Sequence, residues 1–311
     1  MENETLLQVD DLVVAFQMYD KGYKRRNLEV IHSLSLRVDR GEIVAVVGSS
    51  GSGKSVLAHA ALGLLPGNAV TGGKILDKGE TLDDGRRKNL LGREIAYIPQ
   101  SIDYLDPLMR VGRQVAGVHG TRERQRELFQ KYRLPRETEE KYPFQLSGGM
   151  ARRVLISSAV MGKPDLIIAD EPTPGLDLQM AMETLIHFRE LADQGAGVLL
   201  ITHDIDLALH VADRIAVFYA GTVVEIAPKE DFLQGKEALR HPYSKAFLDA
   251  LPQNGFKPIP GTQPYAGNLP SGCLFADRCP WRDEKCGGEI PLTTLRNGEV
   301  RCVHAAEGRT Y

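Results

Sequence analysis

A chain of 311 residues has room for about two domains of ~150 residues, or for one large core with an appendage. With 42% hydrophobic and 25% charged residues, 31 glycines and 17 prolines, it has the composition of an ordinary globular protein, which excludes disordered, collagen-like and low-complexity classes. A formal net charge of −3 offers no basic excess for nucleic acid, so no nucleic-acid partner is expected; the longest apolar runs, such as 43–47, fall far short of the ~18 residues of a membrane span.

The amino terminus is acidic where a secretory leader would be basic, so the chain is expected to be cytosolic. Apolar runs at 6–9 and 12–16 predict two early strands, and 42–47 a third that is apolar on both faces. That third run enters GSSGSGKS, residues 48–55, followed by the helix-like VLAHAALGLL. Strand, glycine-rich loop and helix in this order form a P-loop. Gly48, Gly51 and Gly53, with Ser49, Ser50 and Ser52 between them, let backbone N–H groups close around phosphate oxygens. Lys54 is then the residue that reaches the β and γ phosphates, and Ser55 a ligand of Mg²⁺.

A further strand is predicted at 94–98, followed by Pro99 and Gln100. Residues 102–160 have a different texture. The charged stretch 122–132 and the helically spaced apolar residues of 150–161 describe a helical insertion between two strands. It contains LSGGM, residues 146–150, where a serine and two glycines at a helix start offer a second phosphate cradle. Since the P-loop already takes one side of the γ phosphate, the second cradle makes sense for a nucleotide bound to another subunit.

DLIIADEP, residues 165–172, reads as a buried strand delivering two carboxylates at its carboxyl end. Asp170 is the candidate for holding Mg²⁺ and Glu171 for orienting and deprotonating the attacking water. Strands at 198–202 and 214–219 complete an α/β pattern of buried strands covered by helices on both faces. From about Pro228 prolines recur without long-range periodicity, and an irregular extension is expected there. All four cysteines, Cys273, Cys279, Cys286 and Cys302, lie in it. With disulfides disfavoured in a cytosolic chain, a metal or cluster site is the leading reading.

The set GSSGSGKS, Gln100, LSGGM, LIIADEP, Asp177 and His203 resembles the nucleotide-binding subunit of ABC transporters over essentially the whole chain. The resemblance implies an ABC-type P-loop ATPase at 1–228, with a helical signature subdomain at about 102–160, and a peptide-importer-type extension at 229–311. It makes Gln100 a Q-loop residue that contacts Mg²⁺ and the attacking water. Ser147, Gly148 and Gly149 become the signature that caps the partner's γ phosphate, Asp177 a D-loop residue at the dimer interface, and His203 a γ-phosphate sensor. Phe16 is placed to stack on adenine, with Tyr23 as the alternative.

Met150, in place of the commoner glutamine, and the tail HPYSKAFLDALP at 241–252 are similar to the oligopeptide, dipeptide and nickel importer branch. The D-loop TPGLD departs from the family by Pro174 and Gly175. For the cysteines the resemblance implies a [4Fe–4S] cluster; zinc and free thiols are the alternatives, although no pair has the short spacing of a zinc hairpin. Arg278 and Arg282 stand nearby, either to offset cluster charge or as solvated surface.

The expected task is an ATP-driven importer motor at the cytoplasmic face of a membrane. Its partners would be a second ATPase, in a heterodimer rather than a homodimer, two transmembrane permeases and, indirectly, an extracellular solute-binding protein. A soluble ABC protein acting on nucleic acid would show two cassettes or a long coiled-coil insertion. An iron–sulfur redox enzyme would show a substrate pocket motif. Neither feature is present in the sequence.

Overall fold

The structure is a computed structural model that describes residues 4–19, 25–118 and 120–307. Strands β1 (Thr5–Tyr19) and β2 (Arg25–Asp39) precede β3 (Ile43–Gly48). Then come α1 (Lys54–Leu62), β4 (Ala69–Asp77), β5 (Glu80–Thr81), α2 (Asp84–Leu90) and β6 (Ile95–Ile98). The helical block holds α3 (Val111–Ala116), α4 (Arg122–Lys131) and α5 (Gly148–Ala159). The chain returns through β7 (Leu166–Asp170), α6 (Leu178–Asp193), β8 (Gly197–Ile201), α7 (Ile205–Val211), β9 (Arg214–Tyr219) and β10 (Thr222–Pro228). The extension carries α8 (Lys229–Gln234), α9 (Pro242–Asp249), β11 (Thr293–Leu295) and β12 (Gly298–Val300).

Two sheets result. The larger runs β11-β12-β10-β9-β3-β8-β7-β6, parallel from β9 to β6, and the smaller is antiparallel, β2-β1-β4-β5. The larger sheet is apolar on both faces because it is covered on both. Along β3, Ile43, Ala45 and Val47 enter a core shared with α6 and α7, while Val44 and Val46 enter a second core with α1 and the smaller sheet. The same alternation divides Ile167 and Ala169 from Leu166 and Ile168 on β7. Burying each large aliphatic side chain contributes roughly 1.5–3 kcal/mol, so the strand bearing the P-loop is among the least deformable parts of the molecule.

The helical block has a core of its own, with Val111, Val115, Phe129 and Val154 at its centre. It is fastened to α6 by a buried contact between the Tyr132 hydroxyl and His187 Nδ1. Burial pushes His187 down to about 4, so the ring is neutral near pH 7 and able to accept that bond.

The structure departs from the sequence expectations in three places. The runs at 6–9 and 12–16 belong to one strand, broken in pattern where Asp11 takes φ 47° and the register slips between Val9 and Leu12. Strands β2, β4, β5 and β10 were not expected; charged Arg25, Arg26 and Lys74 obscure the alternation of the first two. The extension is largely irregular, yet it also adds a hairpin to the main sheet, where Glu225 and Ile226 of β10 pair with Val300 and Glu299 of β12. Among the described residues, no helix is long and apolar enough to cross a membrane.

Candidate functional site

The glycine loop is shaped by contacts that only glycine allows. A Cβ on Gly48 would lie 2.2 Å from the Phe218 carbonyl oxygen, and Gly51 and Gly53 take φ +75° and +104°. Gly53 caps α1 without a side-chain hydrogen bond, which leaves the first N–H groups of that helix and the positive end of its dipole to a ligand. Lys54 is buried and folds back over the loop, its Nζ donating to the carbonyls of Gly48 at 2.8 Å and Ser49 at 3.0 Å. Burial lowers its pKa, against the opposing pull of Glu171 and Asp170.

Beyond the loop, β7 delivers the two carboxylates. Ser55 Oγ donates to Asp170 Oδ1 at 3.2 Å, while Asp170 Oδ2 is buried with no hydrogen-bond partner among the described residues. Burial accordingly holds the Asp170 carboxyl above the usual range. A buried oxygen without a donor beside a serine hydroxyl is a fitting donor pair for a hard cation such as Mg²⁺. Glu171 adopts φ 48°, unusual for a residue with a side chain, and its N–H is held by the Ile201 carbonyl at 2.9 Å. Its Oε2 accepts from His203 Nδ1 at 2.8 Å, the histidine following the end of β8 and remaining mostly exposed.

Ser50, Gly51, Ser52, Gly53, Lys54, Ser55, Gln100 and Glu171 line one cavity of about 660 Å³, the size of a small-molecule site. Gly48 and Ser49 reach it through Lys54, Asp170 through Ser55, and His203 through Glu171. Phe16 is not among the lining residues. Because β1 is paired on both sides, with Leu28 of β2 and Ala69 of β4 opposite Phe16, its ring is half-buried against the core beneath the smaller sheet. Tyr23, the other aromatic candidate, lies outside the described residues.

The second cradle also stands apart from the cavity. Ser147 caps α5, accepting from Met150 N at 3.3 Å, and Ser147 and Gly148 are exposed. Asp177 caps α6 through Met180 N at 2.9 Å. The unusual D-loop has a simple geometry. Leu176 N donates to the Thr173 carbonyl, Pro174 takes the second position and Gly175 the third with φ +83°, a type II turn. The Gly175 carbonyl approaches Gly149 so closely that a Cβ there would lie 2.9 Å from it.

Two contributors had no motif to announce them. Buried Arg152 of α5 donates to the carbonyls of Pro99 and Gln100, tying the signature helix to the glutamine loop. The extension reaches the cavity as well: Gln263, Pro264, Tyr265, Ala266 and Leu269 line it, and Ser49 Oγ donates to Gln263 Oε1 at 2.9 Å.

The four cysteines line a separate, small cavity with His241, Phe275 and His304. No disulfide joins them; burial pushes Cys273 up to about 11 and Cys302 up to about 12. Asp283, Cys286 and His304 also bring one donor atom each within 4.8 Å of one another. The Arg278 and Arg282 side chains have partners of their own. The Arg278 guanidinium donates to the Ile259 and Pro260 carbonyls, and Arg282 pairs with Asp277.

Residues 31–174 match the ABC transporter family and residues 224–286 the oligopeptide/dipeptide transporter C-terminal region. The chain is 36% identical to the dipeptide transport ATP-binding protein DppD of Escherichia coli, covering 96% of each chain. It is 35% identical to DppD of Bacillus subtilis, over 94% of this chain and 92% of that one. The oligopeptide transport ATP-binding protein OppD of Lactococcus lactis subsp. cremoris is 35% identical, over 100% and 96%. Among solved structures, an ATP-binding subunit of an ABC transporter superposes with TM-score 0.60 at 29% identity, covering 74% of this chain and 92% of that one. A dimeric ATP-binding cassette bound to ADP and phosphate gives 0.64 at 24%, covering 72% and 99%, and supports the fold. Fold and cavity define a P-loop ATPase cassette. The chain belongs to the ABC transporter ATP-binding family, in the branch that carries the oligopeptide/dipeptide C-terminal region.

Proposed function

We propose that the chain is the ATP-hydrolysing motor of a peptide importer, with residues 1–228 as the motor and 229–311 as its importer-type extension. The observation that carries this reading is the similarity to dipeptide and oligopeptide transport ATP-binding proteins along nearly the whole chain, tail included. ATP lies with its phosphates on the loop N–H groups and Lys54. Ser55 and Asp170, with Gln100 nearby, would hold Mg²⁺, which would supply positive charge to the polyphosphate. Glu171, oriented by His203, takes the proton of the water that attacks the γ phosphorus, and ADP leaves as the bond to its β-phosphate oxygen breaks.

The signature Ser147, Gly148 and Gly149 stands away from this chain's own cavity, which supports a role at the nucleotide of a second ATPase, with Asp177 at the same interface. A related but different chain is the expected partner, so the assembly is a heterodimer. Closure on ATP and opening on hydrolysis are passed to two permeases at the cytoplasmic face of the membrane, and a solute-binding protein outside delivers the peptide.

Affinity purification of the tagged chain from solubilised membranes, with companions identified by mass spectrometry, is expected to recover two multi-span proteins and a second ATPase. Ribosomal or DNA-repair companions without membrane proteins would overturn the transport reading.

The gathering of four thiols around one cavity supports a [4Fe–4S] cluster held by Cys273, Cys279, Cys286 and Cys302. It would cross-link the extension, whose segments around these cysteines contain little regular structure. Protein purified without oxygen should carry about four iron and four sulfide per chain, with absorbance near 400 nm, and should lose them in Cys286→Ser. Stoichiometric zinc in place of iron would refute the cluster.

A further inference from the structure

The lining of the nucleotide cavity falls into two chemically different parts. Lys54, Ser55, Gln100, Glu171 and the loop suit a polyphosphate with its cation. The remainder, including Val30, Ala220, Pro264, Tyr265, Ala266 and Leu269, is carbon-rich and uncharged, and suits the base and sugar. Tyr265 is the one aromatic side chain among these lining residues. It comes from the extension, far in sequence from the loop.

Its position is built rather than incidental. Gln263 is bonded to Ser49 at one side, and at the other Arg26 Nη2 of β2 donates to the Tyr265 hydroxyl at 3.3 Å, so the segment reaches from the loop to the smaller sheet. Asn268 N donates to the Tyr265 carbonyl at 2.8 Å, closing a turn beneath the ring. Within that turn a Cβ on Gly267 would lie 2.4 Å from Tyr265 Cε1 and 3.2 Å from Cζ. The glycine is therefore the floor on which the ring rests. Phe16, where a stacking aromatic was expected, is half-buried elsewhere.

We propose that Tyr265 is a nucleotide-binding residue, supplying the aromatic surface against which the adenosine end of ATP packs, with Gln263 and Gly267 fixing its place. The proposal deepens the ATP-site reading and rests on it. Base–aromatic stacking of this kind is worth enough for about a tenfold change in affinity.

The test compares ATP with inorganic tripolyphosphate, which has no nucleoside, by calorimetry on the full chain with Mg²⁺, alongside steady-state ATPase kinetics. Tyr265→Ala is expected to weaken ATP about tenfold, to raise KM for ATP more than it lowers kcat, and to bind tripolyphosphate as the parent does. Tyr265→Phe should restore ATP affinity to within about twofold. Gly267→Ala, which displaces the ring without removing it, should fall between the two. Circular dichroism and the unfolding temperature check that each variant is folded.

Unchanged ATP affinity in Tyr265→Ala would overturn the proposal. Tighter binding would do so as well, since the segment would then be an obstruction, and so would an equal loss for tripolyphosphate, which would place the effect on the loop. Lys54→Ala separates the two levels. If it loses both ligands while Tyr265→Ala matches the parent, the ATP site stands and the Tyr265 assignment falls. If the parent binds neither ligand, both fall.

Discussion

Glu171→Gln is expected to stop ATP turnover while leaving ATP bound. The amide is nearly isosteric with the carboxylate and can still accept from His203 Nδ1 through its oxygen, so the left-handed backbone at φ 48° and the bond to Ile201 need not change. What it cannot do is accept the proton of the attacking water. Loss of a positioned general base lowers the rate by about 10²–10⁴-fold. ATP affinity, which depends on Lys54 and the loop, should remain within about twofold of the parent. In the cycle proposed above hydrolysis separates two motors, so the variant, mixed with the proposed partner ATPase, should elute as a stable dimer on ATP addition. A variant that hydrolyses ATP at the parent rate would remove Glu171 from the role of base.

The parts of this site that local chemistry dictates were legible in the sequence. GSSGSGKS needs glycine at 48, 51 and 53 because two of those positions have left-handed φ and the third abuts a neighbouring strand, so the pattern and the geometry are the same statement. LIIA, residues 166–169, is apolar throughout because each face of β7 serves a different core. Pro174-Gly175 is in turn the signature of a type II turn. What local pattern could not reveal depends on tertiary placement. Phe16 ends an apolar run whether its ring meets a base or a core, and its ring packs half-buried against the core beneath the smaller sheet. Arg152 looks like any helix arginine until α5 packs beside Gln100. Tyr265 sits in a proline-rich stretch with no periodicity, and only the path of the extension across the loop brings it to the cavity.

A buried arginine fastens the extension to the main sheet, and Arg240→Met is expected to be the most destabilising single substitution in the extension. The Arg240 side chain is almost completely enclosed and joins three elements. It donates to Asp231 of α8 at 2.7 Å, to Glu225 of β10 at 3.3 Å, and to the carbonyls of Leu295 and Arg296 in the β11–β12 turn. That turn is a two-residue hairpin with Arg296 and Asn297 both left-handed at φ 48° and 59°, a conformation that asparagine tolerates and arginine rarely adopts. Gly298 completes it, since a Cβ there would lie 2.8 Å from Arg240 Cζ. Methionine fills much of the volume but leaves the fully buried Glu225 without its cation and two carbonyls without donors. Breaking a buried pair in this way costs about 3–5 kcal/mol, seen as a lower urea midpoint and as early proteolytic cleavage beyond residue 228. Replacing Glu225 as well, in the double variant with methionine at both positions, should return part of that loss, because the uncompensated charge is then gone. A single variant as stable as the parent would show that the enclosed arginine does not hold the extension to the sheet.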